Sequence, residues 1–539
     1  MNLLVLTSQA QMLRPSPLVL SVFLAALVCV TTARSQGTPV HADSVQRARE
    51  YFINGTTLQL QGNRHAEAIL EFQEALAYDS SSVTLAAIAR SYLELHKLDR
   101  AENYARLALK GDSTLRDAWE LLAEILVSSG KYDEGVEAYE HVRALGPSRR
   151  QLYTLGRLYE PRNADKAIEV YEELVAKDPD IGIYQRLSSL YERKRNVNGQ
   201  ISSLERAAAV DPLNVSVAVE LVDVYIANGR LEDASAIARS WAATQRRSDG
   251  GVRVWGSLLS SLLADSLVAN LYLDQTQQLL DQAMREYAWS VPIVTLVGSV
   301  ALTVKDVNRA IVAFDVAAEL VQQRAEPLLQ IGAVYLTTGY PQEAISFLQH
   351  WQPKYARDPR FLVMIADCYT VLPDERQAVT YYRASLDIDP MIIEAWMQLG
   401  GLYDVLGEQD SSDAAYENVL ALDPLNMVAN NNLSYSLAVR GIRLERARDL
   451  AWTALQQNPR NAAYLDTYAW VLFRLGHLDR ARSYIEQAIV HGGNATHFAH
   501  LGDILEGLGD IDGAIRAWEE ALALDPELLD LKTKIDRYR

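Results

Sequence analysis

Apolar residues recur along this chain at helical spacing. Leu399 and Tyr403 stand four apart, as do Leu122 and Leu126, so each pair shares one face of a helix. A fuller pattern returns around them. One copy reads Trp396, Leu399, Gly400 and Tyr403, then Tyr416 and Pro424. A second reads Trp119, Leu122, Leu126 and Gly130, then Tyr139 and Pro147. A third reads Phe498, Leu501 and Gly502, then Ala514, Trp518, Ala521 and Pro526. Each copy predicts two amphipathic helices. Gly400, Gly502, Ala68, Ala101, Ala167, Ala378 and Ala514 are small where two helix backbones must approach closely. Gly130, Gly229, Gly339, Gly407, Gly476 and Gly509 fall between the helices, where a positive φ costs glycine little. Asp178-Pro179, Asp211-Pro212, Asp358-Pro359, Asp389-Pro390, Asp423-Pro424, Asn458-Pro459 and Asp525-Pro526 should end second helices, because proline lacks an N–H and drives the preceding residue out of the helical region.

The pattern is periodic. Pro179 and Pro212 lie 33 residues apart, Pro359 and Pro390 31, Pro390 and Pro424 34, and Pro424 and Pro459 35. This period and the W-x2-L-G-x2-Y, A-x3-F, P arrangement resemble the tetratricopeptide repeat, a helix-turn-helix unit of about 34 residues. One such pair cannot bury its apolar face alone, whereas stacked pairs can. The expected fold is therefore all-α, a right-handed α-solenoid of about fourteen repeats. Residues 45–248 and 328–526 form two regular arrays, and 527–539 a capping helix with a polar outer face. Residues 249–327, with Gly250-Gly251 and an overlong pair around Trp255 and Trp289, carry weak copies of the motif, read as a hinge or as ordinary repeat drift.

Charge and cysteine usage narrow the function classes. The 539 residues carry 51 Lys and Arg against 69 Asp and Glu, a formal charge of −18, and no basic stripe offsets it. Nucleic-acid binding, which rests on clustered Lys and Arg, is not expected. Two cysteines make neither a disulfide framework nor a cysteine-rich zinc site. The apolar run Leu18–Val30 follows Arg14 and precedes Ala33-Arg34-Ser35, a secretory signal pattern with cleavage expected before Gln36. Residues 1–35 are thus read as the signal and 36–44 as a linker, giving an exported, periplasmic protein. Lipidation at Cys29, with outer-membrane association, is the alternative, although Ala26-Leu27-Val28 lacks the small residue wanted before such a cysteine.

No phosphate-binding glycine loop, H-E-x-x-H or G-x-S-x-G is present, so neither catalysis nor a cofactor is expected. His491, His497 and His500, with Asp503 nearby, form the one histidine cluster, and a metal-dependent factor or enzyme centred on it is the alternative function. In a stack of helical pairs the first helices line a concave face. Register places Asp404, Asn431, Asn432, Tyr435, Asp466, Trp470, Phe473, His500, Asp503 and Glu506 there. Amides, acids and aromatics of this kind suit an extended peptide.

The last hundred or so residues, through Asn430–Leu437, Tyr464–Gly476, His500–Asp503 and Ala517–Leu522, resemble bacterial envelope tetratricopeptide proteins. The resemblance implies a scaffold or adaptor for other proteins, including an envelope protease or assembly machinery. A platform for polysaccharide or secretion machinery is a variant of that reading. The carboxylate-clamp version of the family needs Lys and Arg around the groove. Asn432 fits one of its positions, but Met397, Gly401, Ala463 and Thr467 occupy others.

Overall fold

The computed structural model describes residues 39–245, 247–321 and 324–539. Among the described residues there is no strand. Thirty α-helices are present, and twenty-eight of them pair into fourteen hairpins, from Pro39–Leu60 with His65–Tyr78 to Ala495–Gly507 with Ile511–Leu524. The all-α class and the number of repeats agree with the expectation. The signal, including Cys29, lies outside the described residues. The linker reading of 36–44 needs correction, because the first helix begins at Pro39. Proline is at home at a first helical position, where its missing N–H would have had no partner.

The described residues divide into two compact units, the first ending at Val217 and the second spanning Ala218–Arg539. The division lies inside the helix Val215–Ala227 and not within 249–327, where a hinge was considered. In each unit a hairpin packs on the next one in sequence, as in an α-solenoid. Phe72, Ile88, Leu121 and Tyr171 are fully buried in the first unit. Trp255, Phe314, Tyr335, Tyr382, Tyr416 and Trp518 are fully buried in the second.

Local chemistry ends most of these helices where the sequence indicated. Gly130 has φ +75°; its N–H donates to the Val127 carbonyl at 3.1 Å and that of Lys131 to the Leu126 carbonyl at 2.9 Å. This is a Schellman closure, which consumes two carbonyls the helix end would otherwise leave free. Gly229, Gly339, Gly407, Gly476 and Gly509 repeat the positive φ, but His96, Arg195 and Lys305 hold it without glycine. Second helices stop at the acidic residue before proline: Asp178, Asp211, Asp389 and Asp525 are all extended C-caps. Asp358-Pro359 is different. The preceding helix has already ended at Trp351, and Asp358 Oδ1 accepts the Arg360 N–H at 3.1 Å, starting the next helix rather than closing the last.

Small residues lie beneath aromatic ones. The Gly400 and Gly502 backbones meet the rings of Tyr416 and Trp518, and Ala68, Ala101, Ala167, Ala378 and Ala514 are fully buried. Gly250-Gly251 does not break the chain but begins the helix Asp249–Ala264, and Trp255 Nε1 donates to the Ala238 carbonyl at 2.9 Å. The pair is overlong because a six-residue helix, Ser266–Leu271, precedes its second member, Leu273–Tyr287. At the other end, Leu529–Asp536 caps the second unit, burying Leu531 and Ile535 in a cluster with Leu505 and Trp518. No helix among the described residues is long and apolar enough to cross a membrane.

Candidate peptide-binding cleft

The last four first helices, Ile393–Val405, Met427–Arg440, Ala462–Arg474 and Ala495–Gly507, carry the expected groove residues. Asn426 starts the second of them by accepting the Ala429 N–H at 3.1 Å. Buried Asn430 ties down the loop before it, donating to the Pro424 carbonyl at 3.0 Å and the Asn426 carbonyl at 2.8 Å. Leu433, Ser434 and Leu437 point inward, so Asn431, Asn432 and Tyr435 fall on the other face.

A cleft of about 530 Å³ opens there and brings together Asp404, Asn431, Asn432, Tyr435 and Asp466. Its remaining wall includes Ser436, Arg440, Thr467 and His497, which were not expected. Arg440 is committed to carboxylates, bonding Asp413 and lying 3.2 Å from Asp410. Asn432 Nδ2 donates to the Tyr416 hydroxyl at 3.2 Å, and that hydroxyl donates to Asp404 at 3.2 Å. Burial pushes the Tyr416 hydroxyl up to about 12, so it stays protonated as the donor in this chain. Asn431 Nδ2 donates to Asn432 Oδ1 at 3.3 Å, but Asn431 Oδ1 is shielded from solvent without a partner among the described residues. One turn beyond Asp466, Trp470 Nε1 is likewise shielded and unpartnered. Buried polar atoms normally find partners, so two such atoms on neighbouring first helices stand out.

Asp466 and the remaining expected residues differ in their surroundings. Asp466 is a buried acid, 2.7 Å from His500 Nδ1, and the Trp470 ring stacks on His500 at 4.1 Å with Phe473 at 5.0 Å from Trp470. These form an aromatic wall rather than an open surface. Asp503 and Glu506 belong to the terminal cap: Asp503 accepts from Trp518 Nε1 at 3.0 Å and from Lys534, and Glu506 from the Tyr538 hydroxyl at 2.7 Å. Sequence register missed this because Lys534 and Tyr538 lie beyond the last repeat.

The histidine cluster also separates. His491 is exposed near the end of Leu478–Gly492, whereas His497 Nδ1 accepts the Asn494 N–H at 3.1 Å in a capping box. Burial lowers the His497 pKa. With His500 held by Asp466, the three imidazoles have three separate surroundings. Among the described residues no three His, Cys, Asp or Glu side chains are placed to hold a metal ion.

Family profiles described as tetratricopeptide repeat match residues 86–150, 121–181 and 467–528, and a further one matches 393–424. A TPR repeat-containing protein of Pseudomonas aeruginosa is 39% identical over 85 residues, 16% of this chain and 14% of that protein. Tetratricopeptide repeat protein 6 of Homo sapiens is 22% identical over 165 residues, 30% of this chain and 32% of that one. The chain therefore spans a third or less of the length of these relatives. Among solved structures, Naa15/Naa10 bound to HypK-THB is similar with a TM-score of 0.43 and 16% identity, covering 81% of this chain and 67% of that one. Repeat spacing, hairpin geometry and family matches agree, and the chain carries tetratricopeptide repeats over residues 86–181, 393–424 and 467–528.

Proposed function

We propose that this protein is a non-enzymatic adaptor of the bacterial cell envelope that holds extended polypeptide segments in the cleft of its second unit. The observation that carries this reading is Asn431 Oδ1, an acceptor withdrawn from water on the cleft wall with no donor among the described residues. An extended peptide supplies a backbone N–H for such an atom and side chains for the apolar surface of Tyr435 and Val439, which are 37% and 48% exposed. The metal-centred alternative loses its support with the separation of His491, His497 and His500.

A photo-cross-linking residue in place of Tyr435 tests the reading. Adducts should map to defined segments of partner proteins, and the same probe in place of exposed Glu445, on a second helix, should yield none of them. Identical adducts from both positions would remove the cleft from the proposal. Export rests on the sequence of residues 1–35. Mass spectrometry of the protein from its native cells should find an N-terminus at Gln36; a retained Met1 or a lipid-bearing Cys29 would overturn that.

A further inference from the structure

The first unit carries a cleft of opposite electrical character. Its volume is about 880 Å³, and its walls include Arg149, Arg150, Tyr153, Arg186 and Arg193, drawn from the consecutive first helices Arg149–Tyr159 and Ile181–Arg193. Arg186 and Arg193 are seven residues apart and so share one helix face, as do Arg150 and Tyr153, three apart. Four arginines face two acids there, Glu160 and Asp180, in a chain whose overall charge is −18.

Both acids are already engaged. Glu160 Oε1 accepts from Arg186 at 3.0 Å and from the Tyr171 hydroxyl, and Asp180 pairs with Arg149 at 2.6 Å while Asp178 pairs with the other arm of Arg149. Arg150 and Arg193 are different. Both are exposed, and neither meets a carboxylate among the described residues. Arg193 donates one N–H to the Glu160 backbone carbonyl at 3.2 Å, which holds its guanidinium at the rim with its other donors free. Tyr153 shares the cleft wall with them, with Arg186 over its ring at 5.6 Å.

We infer that this cleft is a second, separate docking site, and that its occupant is an acidic polypeptide segment whose carboxylates pair with Arg150 and Arg193 beside Tyr153. A planar guanidinium fork matches a carboxylate in two parallel hydrogen bonds, and the aromatic floor accepts the methylene stems of Asp and Glu. Two arginines without a carboxylate partner suit a short acidic segment. A nucleic-acid strand brings a charge with every phosphate and would be repelled by the strongly acidic remainder of the chain. The site does not depend on the cleft of the second unit, so the protein would hold two segments of different chemistry at once.

The test uses the full chain and a short fluorescein-labelled peptide rich in Asp and Glu, followed by anisotropy. Its Asn/Gln counterpart and a single-stranded oligonucleotide are run beside it. The acidic peptide should bind, weaken with added salt, and lose at least about tenfold in affinity in the R150E/R193E variant. The R150K/R193K variant, which keeps charge and loses the fork, should fall between. A Tyr435→Ala variant should bind the acidic peptide unchanged, which separates this site from the one proposed above. Equal affinity for the neutral peptide, tighter binding of the oligonucleotide, or full affinity retained in R150E/R193E would each overturn the inference. Circular dichroism of the variants keeps loss of fold apart from loss of binding.

Discussion

A Cβ added at Gly400 would lie 2.5 Å from the Tyr416 ring, and one at Gly502 2.3 Å from Trp518, distances that a packed core does not accommodate without movement. Gly400→Ala should therefore destabilise the second unit by about 1–3 kcal/mol, read as a lower urea midpoint. A normal midpoint would mean that the Tyr416 ring swings away freely. His497 offers a pH-dependent check. Burial holds its folded pKa below the ordinary value, so the unfolded chain takes up the proton first, and this contribution to stability is lost as pH falls through and below about 6.5. His497→Asn should flatten the urea midpoint across that window. Tyr435, by contrast, is 37% exposed, so Tyr435→Ala should leave the melting temperature unchanged and weaken partner capture by at least about fivefold. All three positions belong to motif positions or clusters that the repeat spacing picks out. That Asp466 lies 2.7 Å from His500 Nδ1 was not visible, because the two residues lie 34 positions apart and only stacking joins them.

At the scale of the helix, the turn after the first member of most hairpins holds a residue at positive φ. Gly130, Gly339 and Gly407 adopt it at little cost, but His96 and Lys305 adopt φ +54° and +61° with a Cβ crowding the backbone. His96→Gly and Lys305→Gly should each stabilise by about 0.5–1 kcal/mol, after the added freedom of glycine in the unfolded chain is subtracted. Calorimetry of the single variants checks the sign, and a lower melting temperature would refute it. Helix ends were largely legible, since proline and glycine act through local sterics. The short helix Ser266–Leu271 was not, because six residues carry too little periodicity to separate an inserted helix from a loop.

Across the whole molecule, stability is passed between neighbours. Within each unit a hairpin covers the next, and the last of the second unit is covered by Leu529–Asp536 through Leu531 and Ile535 on Leu505 and Trp518. Removing residues 527–539 should raise hydrogen exchange in 495–524 and leave the first unit protected as before. Exchange that rises uniformly would mean that the array melts as one body. The cap also explains why Asp503 and Glu506 left the candidate groove: Lys534 and Tyr538 supply the partners that a ligand was expected to provide.

The chain alone determined the helical class, the number of hairpins and most of their termini, since these follow from apolar spacing, glycine φ and proline sterics, all local in range. Tertiary structure decided which polar residues remain open to a guest. Register places a side chain on a face, but whether that face meets water, a carboxylate or a ring depends on residues about 34 positions away or beyond the last repeat. The arginine cleft of the first unit shows the same division. Its members were ordinary surface charges in the sequence, and stacking two consecutive first helices brought Arg150 and Arg193 to the rim of one hollow while committing Arg149 and Arg186 to acids of their own.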